Sequence, residues 1–468
     1  MKIPSFIPVL AMAAAVFSLA SCSPFAPETR LSAEGELPPA FSLYPGDRDP
    51  SLRWWEEFSD PELNALIQSA FSDNLTLKKA WARLAQARAI AVQAGSGIYP
   101  DLTGVADAAH SRSSANSSRT AREYSVGLMS GYELDLWGKI RSQQEAANLE
   151  AGAVREDLNA AAVTLAAEVA IRWANIISRR MQNRLLEKQL KTNETYLELV
   201  ELRFRKAMAS ALDVYQQRQL VEQVRAEIPL VEYDEQLLMH EMALLLGKPA
   251  RTQLQINRQD LPIPAQTPAA GLPADLLLSR PDVRAAGLRL ESADWDTAVA
   301  RADRLPAISL TARAVYSGEE IVRVFDNWLI GLAGNLTAPI LDGQKRSAEV
   351  DRAEAAADEN LAAFRETVLT AVKEVEDALA GEVGQRLHIE GLEREIDAAS
   401  SALNEARERY RKGLNDYLPV LAQLLAVQRL ERDLVSKRTE LFINRINLHR
   451  ALGGVWTRSL SPDAGSKG

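Results

Sequence analysis

The chain has a single cysteine, Cys22, in 468 residues. It can form no intrachain disulfide and supplies no cysteine-based metal cluster. Histidine is scarce as well, and His110, His240, His388 and His449 stand far apart without ligand-type spacing. Aromatic residues make up 6% of the chain against an apolar share of 47%. Much of that share is alanine, which suits close helix–helix packing better than a bulky core. There is no basic tract and the formal net charge is −9, which opposes a nucleic-acid partner. A Gly-rich phosphate loop and a Gly-x-Ser-x-Gly motif are both absent. No catalytic, cofactor-binding or metal site is therefore expected, and the chain reads as a non-enzyme. Past residue 22, no stretch reads as long and apolar enough for a transmembrane helix.

What is present is organised around residues 122–206. Tyr124, Val126, Leu128, Tyr132 and Leu134 alternate with polar or small residues, the period-2 pattern of a strand with one apolar face. At Leu136-Trp137-Gly138-Lys139 the period changes. From about Ser142 to Lys206 there is no proline, and Gly152 is the only glycine. Apolar residues three and four apart predict one helix of roughly 65 residues, about 95 Å long, far beyond the usual three or four turns. A weakly alternating strand is expected at 101–110, a mobile polar loop at 111–120, and a returning helix at 213–246.

After a proline-bearing stretch at 251–272 the chain repeats itself. Adding 206 carries Pro100 onto Pro306, Arg203 and Lys206 onto Arg409 and Lys412, Leu212 onto Leu418, and Leu246-Gly247 onto Leu452-Gly453. The second half has its own alternating strands around Ile308–Tyr316 and Trp328–Leu336, a long helix at 344–412 and a last helix at 418–452. The expected organisation is a signal peptide at 1–21, a lipid-anchored tether at 22–59 and a first repeat at 60–250. A linker at 251–272, a second repeat at 273–455 and a disordered tail at 456–468 complete it.

Lys2, the apolar run after it and Leu19-Ala20-Ser21-Cys22 resemble the export signal and lipobox of bacterial lipoproteins. By that resemblance Cys22 becomes the acylated N-terminus, and Ser23 fits retention in the outer membrane. Strands of about 10 residues with one apolar face match outer-membrane barrel strands. Open sheet edges cannot stand in lipid, and four strands cannot close a barrel alone. Copies must then share one barrel, and three copies give 3 × 4 = 12 strands. The same pattern also fits a soluble coiled-coil protein with small β-hairpins.

Several motifs together carry a family resemblance. They are Trp54-Trp55-Glu56-Glu57-Phe58, Asp60-Pro61-Glu62-Leu63-Asn64, and Glu133-Leu134-Asp135-Leu136-Trp137-Gly138-Lys139. Arg280-Pro281-Asp282-Val283-Arg284, Pro339-Ile340-Leu341-Asp342-Gly343 and Arg409-Tyr410-Arg411-Lys412-Gly413 follow in order. Over nearly its whole length the chain resembles the TolC/OprM family of outer-membrane efflux channels, in the lipoprotein (NodT-type) branch that serves resistance-nodulation-division pumps. The resemblance implies a mainly α fold with β and a two-fold internal repeat. It implies a homotrimer whose 12-stranded transmembrane β-barrel continues into a long periplasmic α-helical barrel. It also implies a periplasmic adaptor and an inner-membrane pump as partners, and a passive exit duct for drugs or other small toxic compounds. The gate is expected at the two helical turns, with Leu212, Asp213, Gly413, Asp416, Tyr417 and Leu418. Adaptor contacts are expected from Arg203, Lys206, Arg409 and Lys412. Two positions depart from the family pattern: Ala207 stands where glycine is frequent, and Ala422 where aspartate is frequent. Two other readings stay open, a duct for type I protein secretion or metal export and a pore-free periplasmic lipoprotein scaffold.

Overall fold

A computed structural model describes residues 24–27, 30, 37–43, 53–113, 119–262 and 270–461. The signal peptide, Cys22 and Ser23 lie outside the described residues.

A 3-10 turn at Trp54–Phe58 precedes the first repeat, which opens with α1 (Pro61–Asp73) and α2 (Leu75–Gly95). Asp60 caps α1 by accepting from Leu63 N at 2.9 Å, with Pro61 in the first turn where a missing N–H costs nothing. Two strands follow, β1 (Asp101–Ser113) and β2 (Arg119–Leu134), then α3 (Lys139–Arg205) and α4 (Ala211–Leu245). The second repeat has a short α5 (Leu276–Ser279), then α6 (Pro281–Ala302), β3 (Ala307–Gly318), β4 (Asn327–Thr337), α7 (Lys345–Arg411) and α8 (Leu418–Leu452). The repeat is close in detail: α3 and α7 have 67 residues each, and α4 and α8 have 35 each.

The strand-to-helix joint shows why the sequence period changes where it does. Asp135 accepts from Ile140 N at 2.9 Å and Arg141 N at 3.0 Å, which caps the first turn of α3. Gly138 takes the left-handed backbone at φ 73°, and its counterpart 206 residues on, Gln344, does the same at φ 70°. Trp137 donates to Pro306 O at 2.7 Å, and Lys139 pairs with Asp303 at 2.5 Å. The joint is thus tied across both repeats.

The chain divides into two compact units. One takes Ala82–Glu156 and Arg284–Glu366 with the described residues up to Arg30. The other takes Asp157–Val283 with the described residues of Ala33–Trp81 and Thr367–Gly468. Neither unit coincides with a sequence repeat; each draws on both.

Several expectations change. The strands have 11 to 16 residues rather than about 10. The polar loop at 111–120 shrinks, because pairing continues through Arg112↔Thr120 and Ser113↔Arg119. Backbone ladders need no apolar pattern, so the sequence hid those rungs. Residues 114–118 lie outside the described residues. One 18-residue window of α3 is apolar enough to cross a membrane by length and composition, contrary to the reading above. Most of it is buried in the fold, with Leu165, Val169, Trp173 and Ile176 all fully or nearly enclosed. The tail is ordered at its start: Val455–Ser459 forms a 3-10 turn with Trp456 and Thr457 buried. Trp55 meets Trp456 edge-on at 4.8 Å, and Trp54 stacks on His449 at 5.4 Å. The scarce aromatics are concentrated there, as packing anchors. The linker is strapped down where described, since Asn257 N donates to Glu62 at 2.6 Å and Arg258 pairs with Asp60 at 2.5 Å.

Candidate functional site

Two parts of the structure bear on function, the sheet and the paired helical turns. The sheet is antiparallel in the order β1-β2-β3-β4. Its register pairs even-numbered residues with even and odd with odd, as in Val126↔Tyr316↔Trp328 and Leu128↔Ala314↔Ile330. Side chains opposite each other share a face. The even face therefore collects Val126, Leu128, Leu310, Ile330, Leu332 and Leu336. The odd face collects Asp101, Asp107, Glu123, Glu133, Arg313 and Asn335. One face is apolar and the other is polar and mostly acidic. Among the described residues nothing covers the apolar face of β4: Trp328 is 68%, Ile330 69% and Leu332 81% exposed. Among the described residues, β1 and β4 each leave one edge unpaired.

The second part is an open groove of about 1240 Å³ between the α3–α4 and α7–α8 turns. It brings together Arg203, Leu212, Asp213, Gly413, Asp416, Tyr417 and Leu418. The turns are built alike. Met208 N donates to Arg203 O at 2.8 Å and Ala207 N to Phe204 O at 2.9 Å. Leu414 N donates to Arg409 O at 2.9 Å and Gly413 N to Tyr410 O at 3.0 Å. Each is a Schellman C-cap with its left-handed residue at the same repeat position. That residue is Ala207 at φ 55° in the first turn and Gly413 at φ 75° in the second. Both adopt the conformation glycine favours, but only Gly413 is free of the Cβ penalty.

The residues expected at the gate separate into two groups. Leu212 and Leu418 are 63% and 61% exposed on the groove, and Asp416 is also exposed. Asp213 lines the groove while completing a capping box with Ser210, accepting from Ser210 N at 2.9 Å. Tyr417 is different. Its side chain is 1% exposed, packed with Val200, Val214, Tyr410 and Leu421, and its hydroxyl donates to Gln217 at 2.7 Å. Burial pushes that hydroxyl above the ordinary tyrosine range, so it remains a donor at any physiological pH. Tyr417 is thus a core residue rather than a free gate side chain.

The four basic residues separate as well. Lys206, Arg409 and Lys412 are exposed, and Arg409 Nε donates to Asn415 at 3.2 Å. Arg203 instead folds over the buried ring of Tyr410 at 4.3 Å from its centroid. Its guanidinium belongs to the packing of the turn rather than to a free contact surface.

Sequence reasoning missed a buried polar ladder above the turns. Gln217 donates to Asn193 O at 2.8 Å, and Gln428 Nε2 to Asn193 Oδ1 at 2.7 Å. Gln189 donates to Gln428 O at 3.0 Å, and Arg432 donates to Gln189 at 3.1 Å. Such amides at apolar-seam spacing fix helix register when fully paired. The signal available was polar residues interrupting the seam, at Asn193, Gln217 and Gln428.

The sheet has one apolar and one polar face, and β2 and β4 each lead into a 67-residue helix, an arrangement that fits a channel-forming protein of the outer membrane. The chain belongs to the outer membrane efflux protein family, whose model matches residues 66–248 and again 272–454. The two matches are offset by 206 residues, the spacing of the internal repeat. The pyoverdine export outer membrane protein OpmQ of Pseudomonas putida is 31% identical over 456 residues, covering 94% of this chain and 96% of the relative. The probable outer membrane lipoprotein SilC of Salmonella typhimurium is 28% identical, covering 94% and 97%. The crystal structure of CusC, described for its folding and transmembrane channel formation, matches with a TM-score of 0.85 and 26% identity, covering 92% of this chain and 100% of that one. The chain is an outer-membrane component of a tripartite efflux system.

Proposed function

We propose that three copies of this chain form the passive exit duct of an efflux system that discharges small toxic compounds, driven by an inner-membrane pump. The two-faced sheet with unpaired edges carries the reading. In lipid an unpaired edge costs several kcal/mol per backbone group. Pairing β4 of one copy with β1 of the next removes every edge when three copies close a ring of 3 × 4 = 12 strands. The even face then meets lipid and the odd face lines the lumen. The helices of three copies continue the duct into the periplasm, and six turns meet in one ring. Leu212 and Leu418 supply its apolar constriction, with Asp213 and Asp416 beside them. Lys206, Arg409 and Lys412 offer a basic surface to the adaptor. Cys22 carries the lipid anchor, which the name of SilC as an outer membrane lipoprotein supports. The name of OpmQ, for pyoverdine export and not protein secretion, supports a small-compound cargo.

The test uses a bacterial strain stripped of its own outer-membrane efflux channels and supplied with the matching adaptor and pump. Expression of this chain should lower steady-state accumulation of a fluorescent pump substrate. Accumulation unchanged by a chain that reaches the outer membrane would contradict the proposal.

A further inference from the structure

The two halves of the sheet repeat in register as well as in sequence. Adding 206 to both members of Asp101↔Gly131 gives Ala307↔Thr337, and adding it to Asp107↔Ser125 gives Arg313↔Gly331. Every described rung of β3–β4 is the image of a β1–β2 rung in this way. The two hairpins are therefore equivalent units. The β2–β3 junction shows how the trailing strand of one unit meets the leading strand of the next.

Closure then fixes what the outer edges do. In a closed barrel the strand number, tilt and stagger are linked, so joins between equivalent hairpins carry the same stagger. The join of β4 to β1 of a neighbouring copy is again a trailing strand against a leading one. Its register follows from β2–β3 by moving 206 residues forward on one strand and 206 back on the other. Met129↔Arg313 becomes Asn335 opposite the partner subunit's Asp107. Ser130↔Ala312 becomes Leu336 opposite the partner subunit's Ala106, and Leu128↔Ala314 becomes Gly334 opposite the partner subunit's Ala108.

The side chains at the two edges suit this register independently. Even numbers meet even and odd meet odd, so both faces run on across the seam without a step. Asn335 and Asp107 are both exposed, on the two outer strands of the sheet and on its polar face. A carboxylate has about four acceptor sites, of which Ser125 Oγ takes one on Asp107 at 3.5 Å. An asparagine amide opposite it gives a charge-assisted hydrogen bond. On the apolar face Leu336, 69% exposed, meets a small alanine. Sliding the seam by two residues keeps the faces but sets Asn335 against the partner subunit's Ala109 or the partner subunit's Val105. Neither offers a side-chain acceptor.

We propose that a second copy of this chain docks on the β4 edge in this register, and that Asn335 pins it by donating to the partner subunit's Asp107. This rests on the closed-ring reading above.

The experiment places pairs of cysteines in the full-length protein and oxidises them, with the wild type as control. Native mass is recorded for every variant. Within one chain Asn335 and Asp107 lie on opposite edges of the four-stranded sheet. Three strand spacings put them about 14 Å apart, beyond the roughly 7 Å a disulfide can bridge, so any link joins two copies. Asn335→Cys/Asp107→Cys and Leu336→Cys/Ala106→Cys occupy adjacent rungs, and one of two adjacent rungs is the closer, non-hydrogen-bonded kind. At least one of these variants should shift on a denaturing, non-reducing gel from single chains to linked species of up to three chains. Asn335→Cys/Ala109→Cys and Leu336→Cys/Ala108→Cys, displaced by two, should stay as single chains. Asn335→Asp sets two carboxylates opposite each other and should lower the temperature at which the assembled copies separate. Asn335→Asp/Asp107→Asn should restore it. Linking by a displaced pair in place of the in-register ones, or by no pair in proteins of three-chain native mass, overturns the register and leaves the ring standing. An Asn335→Asp protein as heat-resistant as wild type, or one not restored by Asp107→Asn, overturns the Asn335 contact. A wild type with the native mass of one chain overturns the ring reading and this inference with it.

Discussion

Glu382 on α7 and Arg445 on α8 form an ion pair enclosed in the helical core, with side chains 0% and 3% exposed. Arg445 Nε donates to Glu382 Oε2 at 3.0 Å and Nη2 donates to Oε1, while Arg386, one turn along α7, adds a contact at 2.9 Å. Replacing Glu382 with Ala leaves a guanidinium buried without its carboxylate. Removing one partner of such a pair costs about 3–5 kcal/mol. At about 4 kcal/mol the unfolded-to-folded ratio rises roughly a thousandfold. The double variant Glu382→Met/Arg445→Met removes both charges and fills the space with flexible apolar chains. It should lie within about 1 kcal/mol of wild type or exceed it. The pair also sets an acid limit. Burial alone would raise the Glu382 pKa, but the hydrogen bonds and charge of Arg445, helped by Arg386, outweigh it and hold the carboxyl below its ordinary value. A depressed folded pKa means the contribution is complete above the unfolded value of about 4.3 and is lost as pH falls through the lower folded value. Urea denaturation followed by helical circular dichroism in detergent, at pH 7 and at pH 3, measures both effects. The wild type should lose stability on acidification by more than the double variant does. A Glu382→Ala protein as stable as wild type, or a double variant as unstable as the single one, refutes the reasoning.

Further predictions concern the anchor, the gate and the turns. Cys22→Ser should release the lipid anchor while the strands still insert; an unmodified Cys22 in the mature wild type, found by mass spectrometry, would remove the lipoprotein claim. Leu418→Ala should raise resting conductance in a planar bilayer with assembly unchanged, and a wild-type current from that variant would take Leu418 out of the constriction. Gly413→Ala should cost about 1 kcal/mol from the left-handed backbone alone, since nothing lies within 4 Å of an added Cβ. Gly247→Ala should cost more, because that Cβ would stand 2.3 Å from Asp73 O, whereas Ala207→Gly should be neutral or stabilising by up to about 1 kcal/mol; denaturation midpoints in any other order contradict the account of these turns.

The long helices, the repeat and the strand faces were legible because each is a periodic signal. Tyr124, Val126, Leu128 and Tyr316 show the sheet's face in sequence, and the register keeps them together. The joint at Asp135 to Lys139 was legible as a change of period. What was not legible depended on contacts far apart in the chain. Tyr417 read as a gate residue because it stands in a turn, yet a partner 200 positions away, Gln217, holds it in the core. Arg203 and Arg409 are equivalent by repeat, but only Arg203 has a buried tyrosine ring beneath it. The tail at Trp456 read as disordered because local composition carries no trace of Trp55 waiting for it.

The central claim is that copies of this chain close a pore. Native mass spectrometry and single-channel recording on one purified preparation test it most directly. The account predicts a mass of three chains and stepwise current across a planar bilayer. A stable single chain with its strand amides protected from exchange, or a three-chain species that passes no current under any applied voltage, would contradict it.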